Sequence, residues 1–402
     1  MPIPTPFHKR TASLCESNDW REWSGYMVAG TYEPNHEREY YAIRNAAGLI
    51  DISPLFKYDV VGPEAHRLIN KVVTRDLSAF ATGQIKYSPW CDEDGKIIDD
   101  GTFWRLGEDA YRITAADPNL RWLQDCGFGM KAEVIDRSHD LAALALQGPN
   151  SKRILSRVFS SDLINGIGYY QLGHGHLVTS GGANAEATVT RTGYTGDLGY
   201  EIWVDAQQAE SLWDVLVEVG SDYGILPAGM VALDIARIEA GLLLIEVDYI
   251  SASRALTEAR KSSPYEAGLG WAVALNKGPF VGRRSLAKEF ESGSEWSFVG
   301  LEIDWLVLER LFAKQDLPPM VAGRASREAV PVYERQGKQI GQVTSRTFSP
   351  ILKKYVALAT LRTGYAKPGT HVEVEITVEF SREKVPAKVV KLPFYNPPHK
   401  RE

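Results

Sequence analysis

A chain of 402 residues with a formal net charge of −6 exceeds what one hydrophobic core usually organises, so two or three domains are expected. It also lacks the basic excess of a phosphate-backbone binder. Its 44% hydrophobic and 24% charged residues are ordinary for a globular protein, and neither a membrane-spanning run nor an apolar leader is visible. The three cysteines, Cys15, Cys91 and Cys126, are widely spaced and contain no CxxC, which argues against a disulfide framework or a zinc site and fits a reducing, cytoplasmic setting.

In chain order, residues 36–48 read as a helix ending at Gly48, followed by a strand from Leu49. Gly95-Lys96 resembles a hairpin turn, and Ile97-Ile98 begins a buried strand that carries Asp99 and Asp100. Successive strand residues face opposite sides, so only one of these acids can point into a given cleft. The run 191–202 (RTGYTGDLGYEI) interleaves glycines with Tyr194 and Glu201. Those two side chains suit a flat polar heterocycle, yet a plain glycine-rich turn into a strand at 200–204 fits the spacing too. Helical periodicity covers 207–219, with Ala209, Leu212, Trp213, Leu216 and Val219 on one face. A second helix over 229–240 puts Arg237 on its apolar stripe, where a guanidinium needs a partner; Asp234 and Glu239 are the nearby acids.

After about residue 290 the pattern turns to short strands. Arg335 to Lys338 reads as a hairpin turn between Pro331–Glu334 and Ile340–Thr344, and His371–Phe380 alternates. The fold class expected from these elements is an α+β body followed by a small β-barrel or sandwich. No P-loop, strand-borne GxGxxG, HExxH or GxSxG occurs, and no metal-ligand spacing is found among the eight histidines.

The 191–202 run resembles the signature of the aminomethyltransferase family, which comprises the glycine-cleavage T-protein and tetrahydrofolate-dependent demethylase relatives. Five further blocks are similar to the family in the right order: 39–53 (EYYAIRNAAGLIDIS), 83–100 (GQIKYSPWCDEDGKIIDD), 143–149 (ALALQGP), 263–282 and 341–369. The resemblance implies a three-domain, cloverleaf-like arrangement around a central folate channel. Its domains would be 1–54 plus 140–285 (discontinuous, folate-binding), 55–139 (inserted, carrying the catalytic acid) and 286–402 (the C-terminal barrel).

On the matching positions, the resemblance makes Asp100 the catalytic acid and Tyr87 a ligand-contacting tyrosine. It also implies that Glu201 accepts the paired N–H groups of a pterin ring, that Tyr194 meets the same ring, and that Trp271 flanks the channel. Without the resemblance, Tyr87 reads as a half-buried strand aromatic, Glu201 as an exposed strand residue and Trp271 as packing.

Two departures stand out. Ala232-Leu233-Asp234 replaces an Ala-Arg-Asp triplet whose arginine contacts folate, and Pro54 stands where T-proteins carry histidine. Together they suggest a sibling that demethylates a small methylated donor. Trp23, Tyr26 and Tyr32 are candidates for its pocket, since aromatic faces suit a methoxyarene or an onium group. The alternatives are an aminomethyltransferase acting on a lipoyl-carrier protein and a non-catalytic folate binder. Retention of Asp100 beside Tyr87 and Glu201 argues against the last. Neither nucleic acid nor membrane is an expected partner.

Overall fold

In the computed structural model, which describes residues 1–178, 184–321 and 323–401, the chain gathers into two units. One comprises Met1–Ser88, Asp99–Ala236 and Pro397–Glu402, and the other Pro89–Ile98 and Arg237–Asn396.

The first unit holds a six-stranded sheet, a small three-stranded one and most of a five-stranded one. Its six-stranded sheet runs in the order Leu172–Val178, Asn184–Thr190, Gly199–Asp205, Leu141–Gln147, Ala47–Asp51, Ile225–Pro227. All pairs are antiparallel except the last, which is parallel. The central strand LAALALQ is buried along nearly its whole length, as its unbroken apolar run requires. Helices Ser151–Val158 and Ala209–Gly220 cover this sheet. Ala209, Leu212, Trp213 and Leu216 are buried in its core, the face expected from periodicity, and Val219 packs at its margin.

The five-stranded sheet is ordered Ile85–Cys91, Ile97–Arg105, Ala110–Ala115, Phe56–Val61, Glu133–Asp136. The hairpin Ile3–Pro4, Tyr26–Thr31, Asp19–Trp23 forms the third sheet.

The helix expected over 36–48 spans Glu37–Asn45. Ala46 leaves the helical region, and Gly48 lies inside the strand Ala47–Asp51 rather than at a helix end. Its glycine serves packing: a Cβ there would sit 2.5 Å from Ile43 Cγ1.

The second unit contains a closed antiparallel barrel ordered Trp296–Ile303, Lys354–Arg362, Gln339–Ser349, Val330–Tyr333, His371–Val378, Ser381–Val390. The expected 335–338 turn closes Val330–Tyr333 onto Gln339–Ser349, with Gly337 in the left-handed region at φ +91°. Val372, Val374 and Val378 point into the core. The alternation does not reach Phe380, which is 99% exposed, because Glu379 turns at φ +51° and Val378 already pairs with Ser381.

Arg237 is fully buried here. Its Nη1 reaches Asp248 Oδ2 at 2.5 Å and its Nη2 donates to Ser345 Oγ at 2.7 Å. Helix spacing offered only acids of the same helix. Asp248, eleven residues on, is supplied by the returning chain, and it also accepts from Thr344 and Ser345.

Among the described residues, no helix is long and apolar enough to cross a membrane, and no group of three or more His, Cys, Asp or Glu is placed to hold a metal ion.

Candidate active site

The 191–202 run leaves the strand Asn184–Thr190 and returns as Gly199–Asp205, wrapping a fully buried glutamine on the way. Gln147 ends the central strand of the six-stranded sheet. Its Nε2 donates to the carbonyls of Thr192 and Tyr200, both at 3.3 Å, and its Oε1 accepts from Thr195 Oγ1 at 2.8 Å. A Cβ at Gly193 would lie 2.0 Å from Gln147 Oε1, and one at Gly199 2.3 Å from it. These two glycines therefore admit the Gln147 side chain, which a Cβ at either position would displace.

Arg44 braces the outer turn. Its Nη1 donates to Thr195 O at 2.9 Å and stands 3.4 Å from Asp197 Oδ2, while its Nη2 donates to Ala236 O at 3.2 Å. Gly193→Ala is expected to lower unfolding free energy by about 1–3 kcal/mol, because Gln147 is too well anchored to yield. Urea denaturation checks this, and an unchanged midpoint would show that the glutamine moves aside freely.

The loop so held presents Tyr194, and the strand after it presents Glu201. Glu201 pairs across the sheet with Ala145 and Thr190, and the Thr190 hydroxyl lies 3.4 Å from its Oε2. Burial pushes the Glu201 carboxyl up to about 7, against the opposing pull of the Thr192 and Thr190 hydroxyls.

Asp100 and Tyr87 come from neighbouring strands of the five-stranded sheet. The Tyr87 hydroxyl donates to Asp100 Oδ2 at 2.6 Å, and the Arg75 guanidinium donates to the Tyr87 carbonyl at 3.1 Å. The two aspartates divide as strand alternation demands. Asp99 is fully buried and accepts from Asp100 N at 2.7 Å, Asp117 N at 2.9 Å and Asn119 Nδ2 at 2.8 Å. Burial, then the neighbouring Asp100 charge, hold it well above the usual carboxylate range. Asp99 is a structural acid, and Asp100 is the one that meets Tyr87.

A residue that sequence reasoning missed joins these elements. Tyr170 adopts φ +57°, a region a bulky side chain enters only when its surroundings dictate it. Its carbonyl accepts from Ile85 N at 2.8 Å and its amide donates to Arg191 O at 3.2 Å, stitching the loop before Leu172 to both sheets. Its phenol lies within electrostatic range of Glu201, Arg75 and Asp100, and Tyr87 lies within range of Asp100, Tyr170 and Tyr194. The only available sequence signal was the tyrosine pair Tyr169-Tyr170 after the turn Gly166-Ile167-Gly168.

Tyr87, Asp100, Tyr170, Tyr194 and Glu201 thus form one cluster. Part of each side chain still meets solvent, yet burial is the largest influence raising the Tyr87 and Tyr170 phenols and the Glu201 carboxyl. That combination marks the wall of a recess. Chemically, the cluster offers a carboxylate fixed by a phenol, a second carboxyl that titrates near neutrality, and aromatic faces for a planar ring.

The remaining candidates lie elsewhere in the chain. Trp271 stands on a one-turn helix, Gly270–Ala272, of the second unit and is 63% exposed. Trp23 and Tyr26 face each other across the N-terminal hairpin, and the Tyr26 hydroxyl meets His139 Nδ1 at 2.6 Å. Tyr32 is buried with Cys15 and Ala29, about 20 Å along the extended chain from Tyr26. These three do not form one pocket, because the five strand residues 27–31 separate the two tyrosines.

The chain matches the family models of the GCVT N-terminal domain over residues 7–277 and of the glycine cleavage T-protein C-terminal barrel domain over 319–396. An aminomethyltransferase of Halothermothrix orenii is 36% identical over 378 residues, covering 93% of this chain and 95% of that protein. One from Symbiobacterium thermophilum is 35% identical over 371 residues, covering 90% of each. The crystal structure of the glycine cleavage system aminomethyltransferase T from Bartonella henselae superposes with a TM-score of 0.81 at 25% identity, over 98% of this chain and 99% of that one. With its sheets, its closed barrel and both family models matched along nearly the whole chain, this protein belongs to the glycine-cleavage T-protein family of aminomethyltransferases.

Proposed function

We propose that the recess holds the pterin ring of tetrahydrofolate and that the enzyme transfers an aminomethyl carbon to it from a lipoyl-carrier protein. The observation that carries this reading is the 2.6 Å bond from Tyr87 to Asp100, in the same cluster as Glu201. The donor set suits the ring: Glu201 is an acceptor pair for adjacent pterin N–H groups, and the tyrosines supply flat faces. Tetrahydrofolate supplies a nucleophilic ring nitrogen that accepts the one-carbon unit.

Asp100 takes up the proton shed at that nitrogen, or balances the positive charge developing there. Tyr87 fixes the rotamer in which it does so. Glu201 orients the ring, assisted by Tyr194 and Tyr170. Support for a three-domain division, 1–54 with 140–285, 55–139 and 286–402, comes from the strands: 47–51 joins 141–227 in one sheet, 56–136 forms another, and 296–390 forms the barrel.

Glu201 gives the reading a pH signature. A pterin N–H pair needs the ionised carboxylate, and the free enzyme's Glu201 titrates near 7. Raising pH through 7 therefore increases the binding-competent fraction, so affinity at pH 6 is expected to be about tenfold below that at pH 8. Glu201→Ala is expected to weaken tetrahydrofolate binding by about 1.5–3 kcal/mol and to flatten this dependence. Titration calorimetry across pH 6–8 reads both. Equal affinity for wild type and variant would remove Glu201 from the site.

A second reading, demethylation of a small methylated donor, rests on Leu233 and Pro54. Leu233 is buried on the helix Met230–Glu239, where an arginine would offer charge, and Pro54 is buried after Ser53. The experiment supplies tetrahydrofolate with either aminomethyl-loaded lipoyl carrier or a panel of methoxyaromatic, methylamine and methylsulfonium compounds. Ammonia release from the loaded carrier is expected. Methyl transfer from a panel member with no ammonia release would install the second reading.

A further inference from the structure

Outside the catalytic cluster, the first unit carries an open cleft of about 520 Å³ lined by one face of the helix Ser151–Val158, by the segment after it and by the C-terminal tail. Lys152 with Ser156 and Arg153 with Arg157 are i,i+4 neighbours on two adjacent rows of the helix, and all four line the cleft. Among the described residues, no ion pair engages Lys152, Arg153 or Arg157, and no carboxylate lines the cleft. Three uncompensated cations converge on one cavity, whereas Arg10, Arg67 and Arg121 on other helices each face an acid.

The fourth basic group arrives from far along the chain. His399 lines the same cleft, fastened through its Nε2 to Asp197 Oδ1 at 2.7 Å. The opposite wall is apolar: Pro149, Leu198 and Tyr223, the last held in place by Asn150 Nδ2 donating to its carbonyl at 3.0 Å.

We propose that this cleft is a binding site for a small anion bearing adjacent phosphates. Two guanidinium forks one helical turn apart match the geometry of neighbouring phosphate groups, and Lys152 adds a compact charge beside them. The volume lies within the range of small-molecule sites. A cavity of this size admits a compact ligand, and the net acidity of the chain disfavours an extended polyanion. The site lies against the loop that carries Tyr194, because Leu198 forms part of its wall and His399 grips Asp197 of that loop.

The test is titration calorimetry of the full chain with inorganic pyrophosphate at low ionic strength, with citrate and a single-stranded RNA 20-mer as separate arms. Saturable one-to-one pyrophosphate binding is expected. The double variant R153S/R157S, whose exposed side chains leave the fold intact, should weaken it at least about tenfold. Absence of saturable binding, or undiminished binding by the variant, would overturn the proposal. Equal affinity for citrate would reassign the cleft to polycarboxylates, and RNA binding without pyrophosphate binding would reassign it to nucleic acid; either result also overturns it.

Discussion

Asp100→Asn is expected to reduce turnover by about 10²–10⁴ while leaving tetrahydrofolate affinity nearly unchanged. The amide keeps the shape of the carboxylate and can still accept from Tyr87, so the recess retains its form. What it loses is the negative charge and the ability to take a proton. Asp99 cannot substitute: its carboxylate is engaged by Asp100 N, Asp117 N and Asn119, away from Tyr87. Comparing kcat with KM separates the two contributions, because a ground-state binding role would raise KM instead. Near wild-type kcat in a folded Asp100→Asn protein would return Asp100 to a structural role and move the proton-handling function to another group.

The second large effect is on stability. Asp248→Ala is expected to remove about 3–5 kcal/mol, because the fully buried Arg237 guanidinium loses its carboxylate partner. Ser345 and the Leu242 carbonyl, which also bond the guanidinium, are neutral and do not replace the charge of Asp248. The double variant R237M/D248L should recover much of the loss, since replacing both members of a buried pair with apolar groups avoids the unpaired ion. Urea denaturation followed on the transition of the second unit reads both. A loss below about 1 kcal/mol for Asp248→Ala would mean that water or another acid reaches the arginine.

The elements were legible where periodicity was long. The helix Ala209–Gly220, the 335–338 hairpin and the alternation through Val378 follow from local pattern alone. Boundaries shifted where tertiary contact decided them: Gly48 looked like a helix stop and is a strand residue pressed against Ile43. Family resemblance brought Tyr87, Asp100, Tyr194 and Glu201 forward, and strand alternation separated Asp100 from Asp99. Tyr170 escaped because its place depends on a left-handed backbone and on bonds to Ile85 and Arg191, neither of which leaves a local pattern. The glycines of the signature were legible as a turn but not as the wrapping of Gln147, since that partner lies some 46 residues earlier. Trp23, Tyr26 and Tyr32 looked like a cluster because they are near in sequence, yet an extended strand carries near neighbours apart.

A crystal structure of the protein with tetrahydrofolate tests whether Tyr87, Asp100, Tyr170, Tyr194 and Glu201 form the tetrahydrofolate site. The pterin ring is expected against Glu201, with its N–H pair on the carboxylate and its reacting nitrogen within hydrogen-bond reach of Asp100. Pterin density at a site that touches neither Glu201 nor Asp100 would contradict it.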